Sequence, residues 1–109
     1  QPLAVKTTSY TVLNTESGYI YTNTAAAGSV TFTLPASPSL GSSYTFIATV
    51  AQTIVIAANT GQTIRNNTSV TTSAGNLTSN ATIGEILTVT CGEANSWYVT
   101  FISGPWTVN

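Results

Sequence analysis

Between Ile86 and Ile102 the chain changes character at every second residue, and that period constrains the fold more than any other feature. Leu87, Val89 and Cys91 share one side of the first run, with Ile86, Thr88 and Thr90 on the other. Trp97, Val99 and Phe101 alternate likewise against Tyr98, Thr100 and Ile102 in the second. β-Branched and aromatic residues fill both runs, as a pleated and half-buried surface prefers. The intervening Gly92-Glu-Ala-Asn-Ser96 supplies Gly and Asn for left-handed backbone, so residues 84–106 read as a hairpin. Leu87, Val89, Cys91, Trp97, Val99 and Phe101 are its expected core face. Shorter runs elsewhere need this hairpin as a partner.

Residues 1–9 carry little pattern and read as a lead-in arm or linker. Short strands follow at 10–13 and 19–22, separated by Asn14-Thr-Glu-Ser-Gly18. The three alanines of 23–28 are too few to nucleate a helix, so that segment is a loop. Val30, Phe32 and Leu34 alternate inward against Ser29, Thr31 and Thr33, and Pro35 ends the run by removing a ladder donor. Residues 35–41 form a rigid connector. In 43–50, Tyr44, Phe46, Ala48 and Val50 share a face, and Ala51-Gln52 joins this strand to Thr53-Ile-Val-Ile-Ala57 as a weaker hairpin. That last run is apolar on both faces and therefore central or covered. Asn59-Thr-Gly61 turns the chain into a brief strand at Thr63-Ile64. Residues 65–80 are a polar excursion with one or two edge pairings, anchored by Val70 and Leu77. No helix of credible length appears. The expected fold is all-β, a small antiparallel β-sandwich of jelly-roll type with about eight strands, in a single domain at 10–109.

Charged residues make up only 5% of the chain, against about 25% in ordinary globular domains. Lys6, Arg65, Glu16, Glu85 and Glu93 are all of them, which suits a virion or extracellular part, or a subunit that buries much of itself. Two cations cannot neutralise a phosphate backbone, so nucleic acid is not an expected partner. No run approaches the roughly 18 apolar residues of a membrane-spanning helix, so no membrane insertion is expected. The chain contains neither His nor Asp, which removes Ser-His-Asp and Cys-His catalysis and any His-bound metal. Glu16 and Glu93 fall in turns and read as solvated charges rather than a glycosidase pair. Cys91 sits in an apolar alternation and reads as a small buried hydrophobe. No catalytic residue, cofactor or metal is expected.

The order of elements carries a resemblance. Val30-Thr-Phe-Thr-Leu-Pro35, a Pro/Ser connector with Gly41, and Tyr44-Thr-Phe-Ile47 are followed by Thr53-Ile-Val-Ile56 and Gly61-Gln-Thr-Ile64. Ile83-Gly-Glu-Ile-Leu-Thr-Val89, Trp97-Tyr-Val99 and Gly104-Pro-Trp106 complete the series. This succession, over residues 18–106, resembles a module of bacteriophage and virus tail-fibre, tail-spike and head-fibre proteins. The resemblance implies a non-enzymatic homotrimer on the virion surface. Its partners would be other copies of itself, other virion proteins, and a host-surface glycan or protein receptor, with glycans the expected class.

Aromatic residues are the remaining resource for recognition. Tyr98 and Ile102 lie opposite the expected core face, apolar where a one-sided sheet should be polar. A subunit contact and a sugar-stacking platform both fit, and the resemblance favours the subunit contact. Trp106 follows Gly104-Pro105 and either plugs the core or sits at a three-fold axis. Tyr98, Ile102 and Trp106 are therefore the interface candidates. Tyr19 and Tyr21 share a face, as a cross-strand structural pair or a second sugar platform; with Arg65, Asn66 and Asn67 of the polar excursion they are the ligand-binding candidates. Loops at 23–28, 35–42 and 65–80 are the expected recognition surfaces. Thr31-Phe-Thr33 and Thr88-Val-Thr90 have threonine-array spacing without a repeat period, and sequons begin at Asn66, Asn67, Asn76 and Asn80. Two other functions fit this sequence: a carbohydrate-binding module of a secreted protein, and a purely structural capsid-decoration or trimerisation domain.

Overall fold

The chain winds back and forth between two stacked sheets in the computed structural model, which describes residues 2–109. Strands β1 (Leu3–Val5), β3 (Ile20–Thr22) and β5 (Ser43–Ile47) lie parallel in one sheet. Strands β2 (Tyr10–Thr11), β4 (Val30–Thr33) and β6 (Ile54–Ala57) lie parallel in the other. Each strand crosses to the opposite sheet and the next returns beside its predecessor, so this half is a flattened coil. The chain then forms β7 (Thr63–Asn66), β8 (Ser69–Val70) and β9 (Asn76–Thr78), followed by the long pair β10 (Ile86–Glu93) and β11 (Ser96–Ser103) and a short β12 (Thr107–Val108). The sheet orders are β1-β3-β5-β10-β11-β7-β8 and β12-β9-β6-β4-β2. The β10–β11 hairpin is wedged between β5 and β7, antiparallel to β5 on one side and parallel to β7 on the other.

Several expectations change. Among the described residues there are twelve strands rather than about eight, and the sheets are mixed rather than antiparallel. The supposed hairpin at Ala51-Gln52 is a crossover between sheets. Buried Asn23 holds it, accepting from the N–H of Thr49 at 2.9 Å and of Val50 at 3.4 Å and donating to Gln52 O at 3.4 Å. A primed two-residue turn needs positive φ, which neither Ala51 nor Gln52 adopts. Within the lead-in arm, Leu3–Val5 form the edge strand β1; Gln1, the arm's first residue, lies outside the described residues.

The core lies between the sheets. Tyr21 and Phe46 from one sheet meet Phe32 from the other, with ring centroids 5.3 and 5.0 Å from Phe32. Tyr44 and Trp97 extend this cluster at 5.8 Å. Val30, Leu34, Ile54, Ile56, Leu77, Leu87 and Val89 complete it, all without exposed surface. Cys91 is buried among them, as expected. β6 is the middle strand of its sheet, as expected; Ile54 and Ile56 face the core, and Val55 and Ala57 are half-buried on the other side. Gln62 is also fully buried. It donates to Pro35 O at 2.8 Å and Ala36 O at 3.0 Å, and accepts from Trp97 Nε1 at 2.9 Å. It thereby ties the Pro connector to the hairpin through the core.

Candidate binding surface

The outer face of the seven-stranded sheet follows from its register. Ser43, Thr90, Tyr98, Arg65 and Val70 form one row across neighbouring strands. Leu3, Ile20, Thr45, Thr88 and Phe101 form the next, and Val5, Thr22, Ile47, Ile86 and Ser103 the third. Hydroxyls dominate the middle and bond to one another: Thr45 to Thr88 at 2.9 Å, Thr90 to Ser43 at 3.4 Å, Thr90 to Thr100 at 3.3 Å. Apolar side chains lie around them, with Leu3 59%, Val5 50% and Phe101 53% exposed. Arg65 is the one formal charge in these rows.

Phe101 reaches this face because of a β-bulge. Val89 pairs with Val99 but Thr88 pairs with Phe101, so Thr100 is an extra residue and the alternation slips by one. The expected facing is thereby reversed beyond Val99. Phe101, expected in the core, stands in solvent; Ile102, expected at a subunit contact, pairs with buried Leu87 and packs against the core. A run of alternating apolar residues carries no mark of where a bulge falls.

Tyr98 does face outward. Its ring lies on Gly92 of the partner strand, where an added Cβ would stand 2.8 Å from Cδ1 and 3.1 Å from Cε1. Gly92 is thus required for close approach of the ring, an aromatic covering a strand glycine. The turn itself is tighter than expected: Glu93 pairs with Ser96, and Asn95 supplies the positive φ at 62°. The Tyr98 hydroxyl donates to Glu93 Oε1. That bond to a carboxylate raises the phenol pKa, with slight burial and the Glu93 charge adding to it and Arg65 opposing. Arg65 sits beside Tyr98 on β7 and donates through Nη1 to Asn67 O at 3.4 Å.

The other candidates are scattered. Trp106 is 8% exposed and donates through Nε1 to Ser103 O at 3.0 Å, so it plugs the core rather than standing at the surface. Tyr21 has no exposed surface and cannot offer a sugar a ring face; Tyr19 packs against it at 5.9 Å. Asn66 and Asn67 form the entry to the β7–β8 turn, Asn67 with φ of 57°, and Val70 is exposed rather than an anchor. Asn23, in an expected recognition loop, is buried by the crossover.

All three glutamates are engaged, which changes the reading of Glu16 and Glu93 as simple solvated charges. Glu16 ends a 3-10 turn (Asn14–Glu16) and accepts from Tyr21 at 2.7 Å, from Tyr10 at 2.8 Å and from the Leu13 N–H at 3.1 Å. One carboxylate thus joins a tyrosine from each sheet. The bond from the Leu13 N–H is the returning half of a capping box, but Leu13 has no side-chain acceptor for the other half, so the sequence carries no capping signature here. Glu85, only 2% exposed, accepts from the N–H groups of Asn80 at 2.9 Å and Thr82 at 2.8 Å. Among the described residues there is no pocket, and no group of three His, Cys, Asp or Glu side chains is placed to hold a metal. No helix among the described residues is long and apolar enough to cross a membrane.

The chain matches neither a protein-family model nor a curated protein. The reading of its function therefore rests on the surface just described.

Proposed function

We propose that this chain is a non-enzymatic module of a virion appendage or capsid fibre. Copies associate through the two rows of the seven-stranded sheet's outer face that run from Leu3 to Phe101 and from Val5 to Ser103, and present loops to a host-surface receptor. The observation that carries the reading is the composition of that face. Leu3, Val5, Ile47, Ile86 and Phe101 surround the mutually bonded hydroxyls of Thr45 and Thr88, and these two rows hold no formal charge. Hydroxyls that already bond to each other lose little when water leaves, and apolar neighbours gain from its leaving. Few charges mean that identical faces do not repel. Three copies is the number the virion resemblance implies, and exposed Leu40 and Ile83 lie on loops free to meet a receptor.

Light scattering behind size exclusion, at micromolar and tenfold lower concentration, tests this. Three times the mass of one chain is expected, falling to one for the double change Val5→Glu and Phe101→Glu. A monomeric parent chain, or a trimer indifferent to both changes, overturns the proposal.

A further inference from the structure

We propose that Tyr98 is the floor of a shallow subsite for an uncharged sugar ring, with Arg65, Glu93 and the Thr90 and Thr100 hydroxyls at its edges. This gives the attachment half of the reading above a location and rests on it to that extent; the assembly half is independent. The half-buried ring lies on Gly92 with no Cβ beneath it, so the strand supports it on the outer side of the sheet. A tyrosine held this way presents a flat, electron-rich, apolar surface without losing side-chain freedom on binding. The C–H-lined face of a pyranose, with its weak positive charge, is its complement.

The ring's surroundings suit hydroxyls in particular. On the β10 side, Thr90 is the cross-strand neighbour of Tyr98, and Thr100 bonds to Thr90 at 3.3 Å. On the β7 side is Arg65, with guanidinium N–H donors, and at the hairpin tip is Glu93, an acceptor that holds the Tyr98 hydroxyl. Vicinal sugar hydroxyls each donate and accept, and donors and acceptors both border this ring. Arg65 and Glu93 oppose each other in sign, so an anionic sugar gains from one and is repelled by the other. A neutral ring avoids that conflict. The surface has no concavity here, so one residue of a glycan is engaged, at roughly millimolar affinity, and several copies are needed for retention. Tyr98 itself lies nearer the hairpin tip than the apolar row of Val5, Ile47 and Ile86, so the subsite and an assembled face fit on one sheet.

An array of oligosaccharides ending in neutral hexoses or N-acetylated hexosamines, with sialylated counterparts, is the test, using the full chain clustered on a multivalent carrier. Retention on at least one neutral terminus is expected. Tyr98→Ala should lower it by roughly tenfold or more and Tyr98→Phe by far less, as for removal of a central aromatic anchor. Arg65→Ala, at an exposed side chain, should lower it several-fold, while Thr31→Ala on the opposite sheet should leave it unchanged. A melting curve for each variant separates lost binding from lost fold. If Tyr98→Ala unfolds, the Tyr98→Phe and Arg65→Ala results decide. Retention only on sialylated termini, no retention at all, or binding indifferent to Tyr98 and Arg65 overturns the subsite. A monomer that retains neutral glycans would sink the assembly reading alone; a trimer that retains none would sink the subsite alone.

Discussion

Replacing Gln62 by methionine keeps about the same volume and length but removes every polar atom from a side chain without exposed surface. Lost are the bonds to Pro35 O at 2.8 Å and Ala36 O at 3.0 Å, and those accepted from Trp97 Nε1 at 2.9 Å and the Asn59 N–H at 3.2 Å. These losses are unequal. Ala36 is exposed and Asn59 half-buried, so water recovers most of those two. Trp97 and Pro35 are buried, and an indole N–H or carbonyl stranded there costs about 1–3 kcal/mol each. Burial of the thioether offsets part of this, leaving about 2–4 kcal/mol. For a domain of this size that lowers Tm by roughly 10–25 °C. Urea unfolding followed by tryptophan fluorescence would measure it. Adding Trp97→Phe, which removes the stranded donor, should make the double variant more stable than the sum of the singles by about 1 kcal/mol or more. A loss below about 1 kcal/mol for Gln62→Met, or strict additivity, would refute the idea that Gln62 ties connector to hairpin.

The bulge at Thr100 makes a second expectation: in the folded chain, Phe101→Cys should react with a maleimide at least about tenfold faster than Ile102→Cys, with equal rates in urea. The native thiol does not interfere, since Cys91 is buried and burial raises its pKa. The reverse order of rates would mean an unbroken alternation. Glu16 supplies a third. Burial alone would raise its pKa, but bonds from Tyr21, the Leu13 N–H and Tyr10, with the Lys6 charge, hold it below its usual value. A depressed carboxyl contributes stability above about pH 4.5 that is lost as pH falls further, so the urea midpoint should drop there and Glu16→Gln should flatten the drop. At the alkaline end, burial and the bond to Glu16 raise the Tyr21 pKa, so its contribution is present below about pH 10 and lost above it. Equal acid slopes for parent and Glu16→Gln would remove Glu16 from the account.

Facing was legible wherever a strand runs unbroken. Val30, Phe32 and Leu34, then Tyr44, Phe46 and Ala48, then Leu87, Val89 and Cys91 are all buried on the side that alternation assigns them. The double apolar character of residues 53–57 rightly placed β6 inside its sheet. Of the candidate surface, Tyr98 and Arg65 were read as outward or exposed, and they are. Phe101 was not, and neither was the role of Glu93 as its neighbour's hydroxyl acceptor. Tyr21 and Trp106 belong to the core, one of the two readings open for each, because composition cannot tell a buried ring with a hydrogen-bond partner from an exposed one.

By itself the sequence determined the class of fold, the turns marked by Gly, Pro or Asn, and which side of each regular strand is apolar. These are local matters: the period of two is a property of the extended backbone, and Gly, Pro and Asn act through their own φ. Strand partners and directions were decided only in three dimensions. β1, β3 and β5 pair side by side across long intervening segments, and nothing within a strand encodes whether its neighbour runs parallel. The bulge at Thr100 is of the same kind. It exists because β10 and β11 must satisfy each other's ladder while Ile102 finds Leu87 and the core, and that competition turns Phe101 out to solvent.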